Sequence, residues 1–272
     1  MKKGCDVSTF QGAIDWREYG KGLDFAIIRA GFGRNNIDER AAENFKNARA
    51  AGVPVGGYWF SYALNAEEAS KEFDYLRAVA GGTDLPLFID YEEESLAYAG
   101  REGVEVNPRE IVRAFLDRAD SEGINAGVYC NLNFYRKYFA NVIEPHPLWL
   151  AHWEVKKPGT DCAIWQYTNN FTAPGIGARC DCNYLMNETL FPVVDIESLA
   201  IGVINGKYGN GDARKKKLGA NYESVQARVN EYYAVAKDVI KGLYGNGGIR
   251  KANLKSAGYD PAAVQSIVNA IL

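Results

Sequence analysis

The chain has 272 residues, 47% hydrophobic and 24% charged, with a net charge of -3. This is the composition of ordinary globular protein, enough for one large domain or for one large and one small. No apolar run reaches the length of a membrane span, Lys2 and Lys3 precede no apolar h-region that would make a signal peptide, and membrane insertion is not expected.

The charge is unevenly placed. Residues 1–190 carry 20 basic and 27 acidic side chains, net -7, and residues 191–272 carry 11 and 7, net +4. The shift predicts two domains, the second either suited to an anionic surface or presenting a solvated basic helical face. The five cysteines (Cys5, Cys130, Cys162, Cys180 and Cys182) are odd in number and form no CxxC pair, which predicts reduced, buried thiols. His146 and His152 are the only histidines, and no spacing resembles a zinc site.

Short apolar runs predict strands at Gly4–Ser8, Phe25–Ala30, Val55–Tyr62, residues 86–92, Ala126–Asn131, Leu148–Trp153, Ala163–Thr168 and Asp181–Leu185. Helical patterns lie between the earlier ones, at Glu39–Ala51, Ala66–Ala80, Pro108–Glu122 and Leu132–Phe139. Asn65 and Asn107-Pro108 read as helix starts, Gly52 and Gly123 as helix ends. Strand–helix alternation predicts parallel strands in an α/β fold. Eight strands in this length, the last without room for full helices between them, predict an irregular β/α barrel of the TIM-like kind with fewer helices than strands.

Working residues in such a barrel sit at the C-terminal ends of the strands. That places Asp6, Arg29, Tyr62, Asp90, Glu92, Tyr129, Trp149, Gln166 and Asp181 at one mouth, with Tyr58, Trp59, Trp153 and Trp165 nearby. Within Leu85–Glu92, Asp90 and Glu92 are two residues apart and share a strand face, about 7 Å from each other along the chain. Two crowded, poorly hydrated acids favour one holding its proton, as acid–base chemistry requires. The same segment is also explained by an apolar strand ending in a solvated acidic loop. Carboxylates among aromatics fit a carbohydrate cleft, because sugar rings stack on Tyr and Trp and their hydroxyls need polar partners.

Asp6-Val7-Ser8, Gln11-Gly12 and Ile14-Asp15-Trp16 resemble the opening signature of the family 25 glycoside hydrolases, a family of lysozymes. Phe25–Gly31, Gly56–Phe60, Asp90-Tyr91-Glu92, Trp165-Gln166-Tyr167 and Asp181-Cys182-Asn183 resemble its later landmarks in order. One departure is Trp59, where many relatives have histidine, which would alter a cleft wall. The resemblance implies an N-acetylmuramidase cleaving the β-1,4 bond between N-acetylmuramic acid and N-acetylglucosamine, without metal or cofactor. It implies Glu92 as general acid and Asp90 as stabiliser of the developing positive charge, or as the group that polarises the substrate's 2-acetamido group. Asp6 and Asp181 would shape the cleft, with Arg29, Tyr58, Trp59, Tyr62, Tyr129, Trp149 and Gln166 binding substrate. Of the two central acids, Glu92 is expected to carry the raised pKa.

The last 80 residues repeat themselves. Val203-Ile204-Asn205-Gly206-Lys207-Tyr208-Gly209-Asn210-Gly211 aligns with Val239-Ile240-Lys241-Gly242-Leu243-Tyr244-Gly245-Asn246-Gly247, and Arg214 with Arg250. Self-similarity of this length marks duplicated units, each read as three small helices around a Tyr-Gly-Asn-Gly turn. The pattern resembles the CW7 cell-wall-binding repeats, which implies binding to bacterial peptidoglycan, with Tyr208, Arg214, Tyr244 and Arg250 as candidate contacts. The expected organisation is a catalytic barrel over 1–190, a short linker over 191–195, and repeats over 196–233 and 234–272. The expected setting is a phage endolysin held in the host cytoplasm until lysis, or else a secreted autolysin. An inactive wall-binding protein and a glycosidase for another glycan are the rival readings; no nucleic-acid partner is expected.

Overall fold

A computed structural model of the chain describes residues 1–190 and 195–272; the linker expected at 191–195 lies outside them but for Asp195. The chain divides between residues 192 and 193 into two compact units.

In the first unit, β1 (Lys3–Val7), β2 (Phe25–Phe32), β4 (Val55–Phe60), β5 (Leu87–Asp90), β6 (Ala126–Asn131), β7 (Leu148–Ala151), β8 (Ile164–Thr172) and β9 (Arg179–Leu185) pair in a closed ring; β3 (Asn36–Ile37) is a two-residue addition to β2. All eight expected strands are present. One expectation is corrected: β9 runs antiparallel to both β8 and β1. Only residues 173–178 separate β8 from β9, and a parallel return needs a crossover of about a dozen residues or more.

The strands alternate between two apolar layers. Phe25, Ile27, Phe88, Tyr129, Trp149, Ile164 and Leu185 fill the barrel interior, with Tyr58 packed against them. Gly127 makes room for this layer, since a Cβ there would lie 2.7 Å from the Phe88 ring. Ala26, Ile28, Trp59, Leu87, Ile89 and Leu150 face the other way, into the larger layer beneath the helices.

Those helices are α1 (Trp16–Gly22), α2 (Ala41–Ala50), α3 (Ala66–Ala80), α4 (Glu93–Arg101), α5 (Pro108–Ser121) and the single turn α6 (Leu132–Phe134), which continues as a π-helical turn over Tyr135–Phe139. α3 and α5 bury stripes at helical spacing, joined by the Phe73–Phe115 edge contact at 5.3 Å. Burying one such ring contributes roughly 1.5–3 kcal/mol. α1 and α4 were not expected. α1 starts where Asp15 Oδ1 accepts the Arg17 and Glu18 N–H groups; α4 starts directly after Glu92, whose N–H is received by Ser95 Oγ at 3.2 Å.

The second unit contains α7 (Ile196–Ile204), α8 (Gly211–Leu218), α9 (Tyr222–Ile240), α10 (Gly247–Ser256) and α11 (Pro261–Ile271). The two three-helix repeats share α9: Val225 and Val229 pack with α7 and α8, while Tyr232, Val235, Ala236 and Val239 pack with α10 and α11. Gly206, Gly209 and Gly211 have φ of 79°, 69° and 55°, and Gly242, Gly245 and Gly247 repeat this at 83°, 74° and 53°. Glycine adopts these values without strain, so the turn is built the same way twice.

Candidate active site

The mouth of the barrel is assembled by strand parity. β1 and β9 set Asp6 directly opposite Asp181, β5 ends on Asp90, and Glu92 follows it at the start of α4. Gln166 of β8, 1% exposed, ties the group together. Its Nε2 donates to Asp6 Oδ2 at 3.0 Å and to Asp181 Oδ2 at 3.2 Å. Its Oε1 receives the Tyr129 hydroxyl and Trp153 Nε1, both at 2.9 Å. Trp153 Nε1 is only a donor, which fixes the amide's orientation. Asn183 gives Asp6 a second bond at 2.8 Å and is itself held by Trp149 Nε1 at 2.7 Å.

All four acids hold protons more tightly than isolated carboxyls. Burial raises Asp6 to about 6 against the bonds from Asn183 and Gln166. Burial, then the charges of Glu93 and Asp6, raise Glu92 to about 7. Burial, then Asp6 and Glu92, raise Asp181 to about 8. Asp90 is pushed well up by burial and by Glu92, with Arg29 opposing. The expectation that Glu92 alone would carry the raised pKa is therefore corrected. Asp90 is the more deeply enclosed, and its buried Oδ1 receives no hydrogen bond. Four carboxyls this close release their protons as a set rather than one by one.

Several residues expected to bind substrate do other work. Trp59 is fully buried in the layer beneath the helices, with Nε1 donating to Gly33 O at 3.1 Å. It cannot line the cleft, because its neighbour Tyr58 faces inward and successive strand residues point to opposite sides. Trp149, 1% exposed, lies within the barrel against Tyr58, Phe88 and Tyr129 and positions Asn183. Gln166 is likewise buried, and Tyr129, which bonds it, is mostly buried but still lines the cavity beside Glu92. Arg29 is paired with buried Asp38 at 2.8 Å, and its influence on the acids is electrostatic.

Tyr58 stands in the field of Asp6, Asp90 and Asp181. Tyr62 packs at a tilt against Tyr98 of α4 at 4.7 Å and meets Phe60 edge-on at 5.1 Å, so these three rings form a wall beside Asp90. On another side a cavity of about 420 Å³ opens against Glu92, with Tyr129, Asn131, His152 and Trp153 in its lining. Phe10, 76% exposed, lies over the Arg29 guanidinium at 4.9 Å. Asn183, Phe60, Tyr98 and Phe10 were missed as site residues. Alternation from Asp181 would have found Asn183; Tyr98 depended on the unexpected α4.

In the second unit, Arg214 and Arg250 make matching networks. Each donates Nε to the turn (Gly209 O at 3.0 Å, Gly245 O at 3.1 Å) and a terminal nitrogen to Asn210 or Asn246. Each also reaches a glutamine on the following helix, Gln226 at 2.9 Å and Gln265 at 3.4 Å. Tyr208 and Tyr244 are half-buried against the apolar clusters of their repeats. In the free protein, then, the arginines brace the turns and the tyrosines pack against the helices. A groove of about 490 Å³ next to Arg250 is lined also by Lys251, Lys255, Asp260 and Gln265.

Among the described residues no helix is long and apolar enough to cross a membrane, and no group of three or more His, Cys, Asp or Glu could hold a metal ion.

Comparison with known proteins adds two family matches, two relatives and two solved structures. The family model described as "Glycosyl hydrolases family 25" matches residues 5–176, and that of the CW_7 repeat matches residues 197–232 and 233–272. The chain is 25% identical over 182 residues to the "Autolytic lysozyme" of Clostridium acetobutylicum, which covers 66% of this chain and 54% of that protein; it thus spans about half of that relative. It is 26% identical over 196 residues to "Lysozyme M1" of Streptomyces globisporus, covering 66% of each. Among solved structures, a family 25 glycosyl hydrolase from Bacillus anthracis superposes with a TM-score of 0.55 at 27% identity, over 68% of this chain and 89% of that one. The catalytic domain of endolysin ply40 from bacteriophage P40 of Listeria monocytogenes gives 0.62 at 22% identity, over 70% and 95%, a likeness of fold.

Proposed function

The chain belongs to family 25 of the glycosyl hydrolases, and from that premise we propose that it is a peptidoglycan hydrolase of the N-acetylmuramidase type, cleaving the β-1,4 bond between N-acetylmuramic acid and N-acetylglucosamine. The observation that carries the reading is the enclosure of Asp90 beside Glu92, with Asp6 and Asp181 completing the mouth.

Glycoside cleavage needs a protonated carboxyl at the leaving oxygen and a negative or polarising group at the oxocarbenium-like centre. Glu92 borders the open cavity and keeps its proton to about pH 7, so it is placed to protonate the leaving oxygen. Asp90 lies deeper, its inner oxygen buried without a hydrogen bond. Once ionised it would stabilise the developing positive charge or polarise the substrate's 2-acetamido group for attack at the anomeric carbon. Gln166 and Asn183 hold Asp6 so that the floor of the site does not collapse under mutual repulsion.

The two helical repeats would hold the enzyme on the same polymer. Two weak attachments on one chain gain through effective concentration. The groove beside Arg250 is a better candidate contact surface than the packed tyrosines.

Clearing of Gram-positive cell walls by wild-type and Glu92→Gln protein tests the reading. Clearing by the wild type and loss of it in the variant supports the enzyme; equal rates would leave only a wall-binding protein. Retention of residues 196–272 on insoluble wall tests the second unit, and full recovery in the supernatant would refute its role.

A further inference from the structure

Glu72 is an acid set within the buried stripe of α3, between Ala69, Phe73 and Leu76, and is 2% exposed. Chain order alone gives no reason for a carboxyl there, since burying one costs free energy unless it is used. Its Oε1 accepts the backbone N–H of Tyr62 at 3.0 Å. Its Oε2 is buried without a partner, and so is the hydroxyl of Tyr91, whose proton affinity is raised by burial and then by the Glu72 charge. Burial lifts Glu72 to about 8, against the Ser61 hydroxyl and the Tyr62 N–H that favour its charged form, so at neutral pH it is mainly the uncharged acid.

Two groups in reach of Glu72 lead to the acids, Tyr62 through its backbone N–H and Tyr91 through the field of the carboxyl. Tyr91 stands between Asp90 and Glu92 in the chain, fully buried, with its ring against Phe134 and Phe139. Ser61, next to Tyr62, donates its N–H to Asp90 O at 2.9 Å. The Tyr62 ring packs at a tilt against Tyr98 of α4, the helix that begins immediately after Glu92.

We propose that Glu72 is a positioning residue that grips the Tyr62 backbone and backs Tyr91, and thereby sets where Asp90 and Glu92 stand at the mouth. This rests on the reading of those two acids as the reacting pair. Glu72 touches no substrate; it acts through Tyr62 and Tyr91 from behind the strand.

The test uses the full chain on insoluble peptidoglycan, with reducing-end release followed against wall concentration well below each variant's thermal midpoint. Glu72→Leu should lower the maximal rate by about 10-fold or more with little change in the half-saturating wall concentration, because sub-ångström displacement of reacting groups is costly. Glu72→Gln, which keeps an acceptor for Tyr62 and a neutral donor, should restore the rate to within about 3-fold of wild type. A folded Glu72→Leu protein within about 2-fold of wild type, or a Glu72→Gln protein as slow as Glu72→Leu, would overturn the proposal. Should Glu72→Leu not fold, Glu72→Ala takes its place in the same assay: a maximal rate lowered about 10-fold or more that Glu72→Gln restores supports the proposal, and a rate within about 2-fold of wild type overturns it. Glu92→Gln in the same series keeps the two readings apart. Wild-type activity in that variant removes the parent reading, whereas an inactive Glu92→Gln beside an unaffected Glu72→Leu removes only this one.

Discussion

Asp6 and Asp181 lie directly opposite one another across the antiparallel pair β1–β9, and one Gln166 amide group donates to both carboxylates. Like charges facing across a ladder destabilise it, so the bridging amide is what makes the arrangement tenable. Gln166→Leu should leave the Tyr129 hydroxyl and the Trp153 N–H without their acceptor. An unsatisfied buried group costs about 1–3 kcal/mol. A lowered thermal midpoint together with an activity loss of about 100-fold is expected; full activity would show that the bridge is dispensable.

The pH dependence follows from the same crowding. Glu92 must be protonated to act as an acid, and its proton is lost near pH 7, so the maximal rate should fall on the alkaline side from about there. Removing a neighbouring negative charge makes that proton easier to lose. Glu93→Gln should therefore shift the alkaline limb to lower pH, while its side-chain oxygen can still accept from Asn131 as Glu93 now does. A limb that does not move would separate Glu92 from the step being measured.

Stability should run in the same direction. For carboxyls with raised folded-state pKa, the stabilising contribution is complete below the ordinary carboxyl range and is lost as pH rises through the folded value. With Asp6 raised to about 6, Glu92 to about 7, and Asp181 and Glu72 to about 8, the loss begins near the ordinary carboxyl range at about pH 4 and is complete by about pH 8. Thermal midpoints across that window should decline in the wild type and decline less in Asp181→Asn, an exchange of stability against function at the site.

Trp59 belongs to the scaffold. Trp59→Ala should lower stability by about 3–5 kcal/mol, and Trp59→Phe by much less, with neither changing the half-saturating wall concentration of the folded protein. A change confined to substrate affinity would return Trp59 to the cleft.

Arg214 and Arg250 each bond a turn carbonyl, an asparagine and a glutamine. A lysine cannot reproduce that fork. Arg214→Lys should therefore destabilise the helical unit almost as much as Arg214→Ala, measured by circular dichroism of residues 196–272.

Much of this was legible in the residues. The barrel strands stood out as apolar runs because both faces of each strand are covered, and the duplicated glycines marked the turns of the repeats. α4 did not, because Glu93-Glu94-Ser95 reads as solvated loop until Tyr98 and Ala99 are seen to face the protein. The reversal of β9 was implicit in the short spacing after β8. Parity also separates Tyr58 from Trp59, although aromatic content alone groups them. The sharing of α9 follows from a run over Tyr222–Ile240 without glycine or proline, which the repeat alignment divides at 233. What residue order could not supply was the relative proton affinity of Asp90 and Glu92, since it depends on how deeply each is enclosed.

Mass spectrometry of fragments released from purified peptidoglycan tests the central claim most directly. Cleavage as proposed leaves new reducing ends that carry N-acetylmuramic acid, absent from a Glu92→Gln digest. New ends carrying N-acetylglucosamine, or no new reducing ends at all, would contradict it.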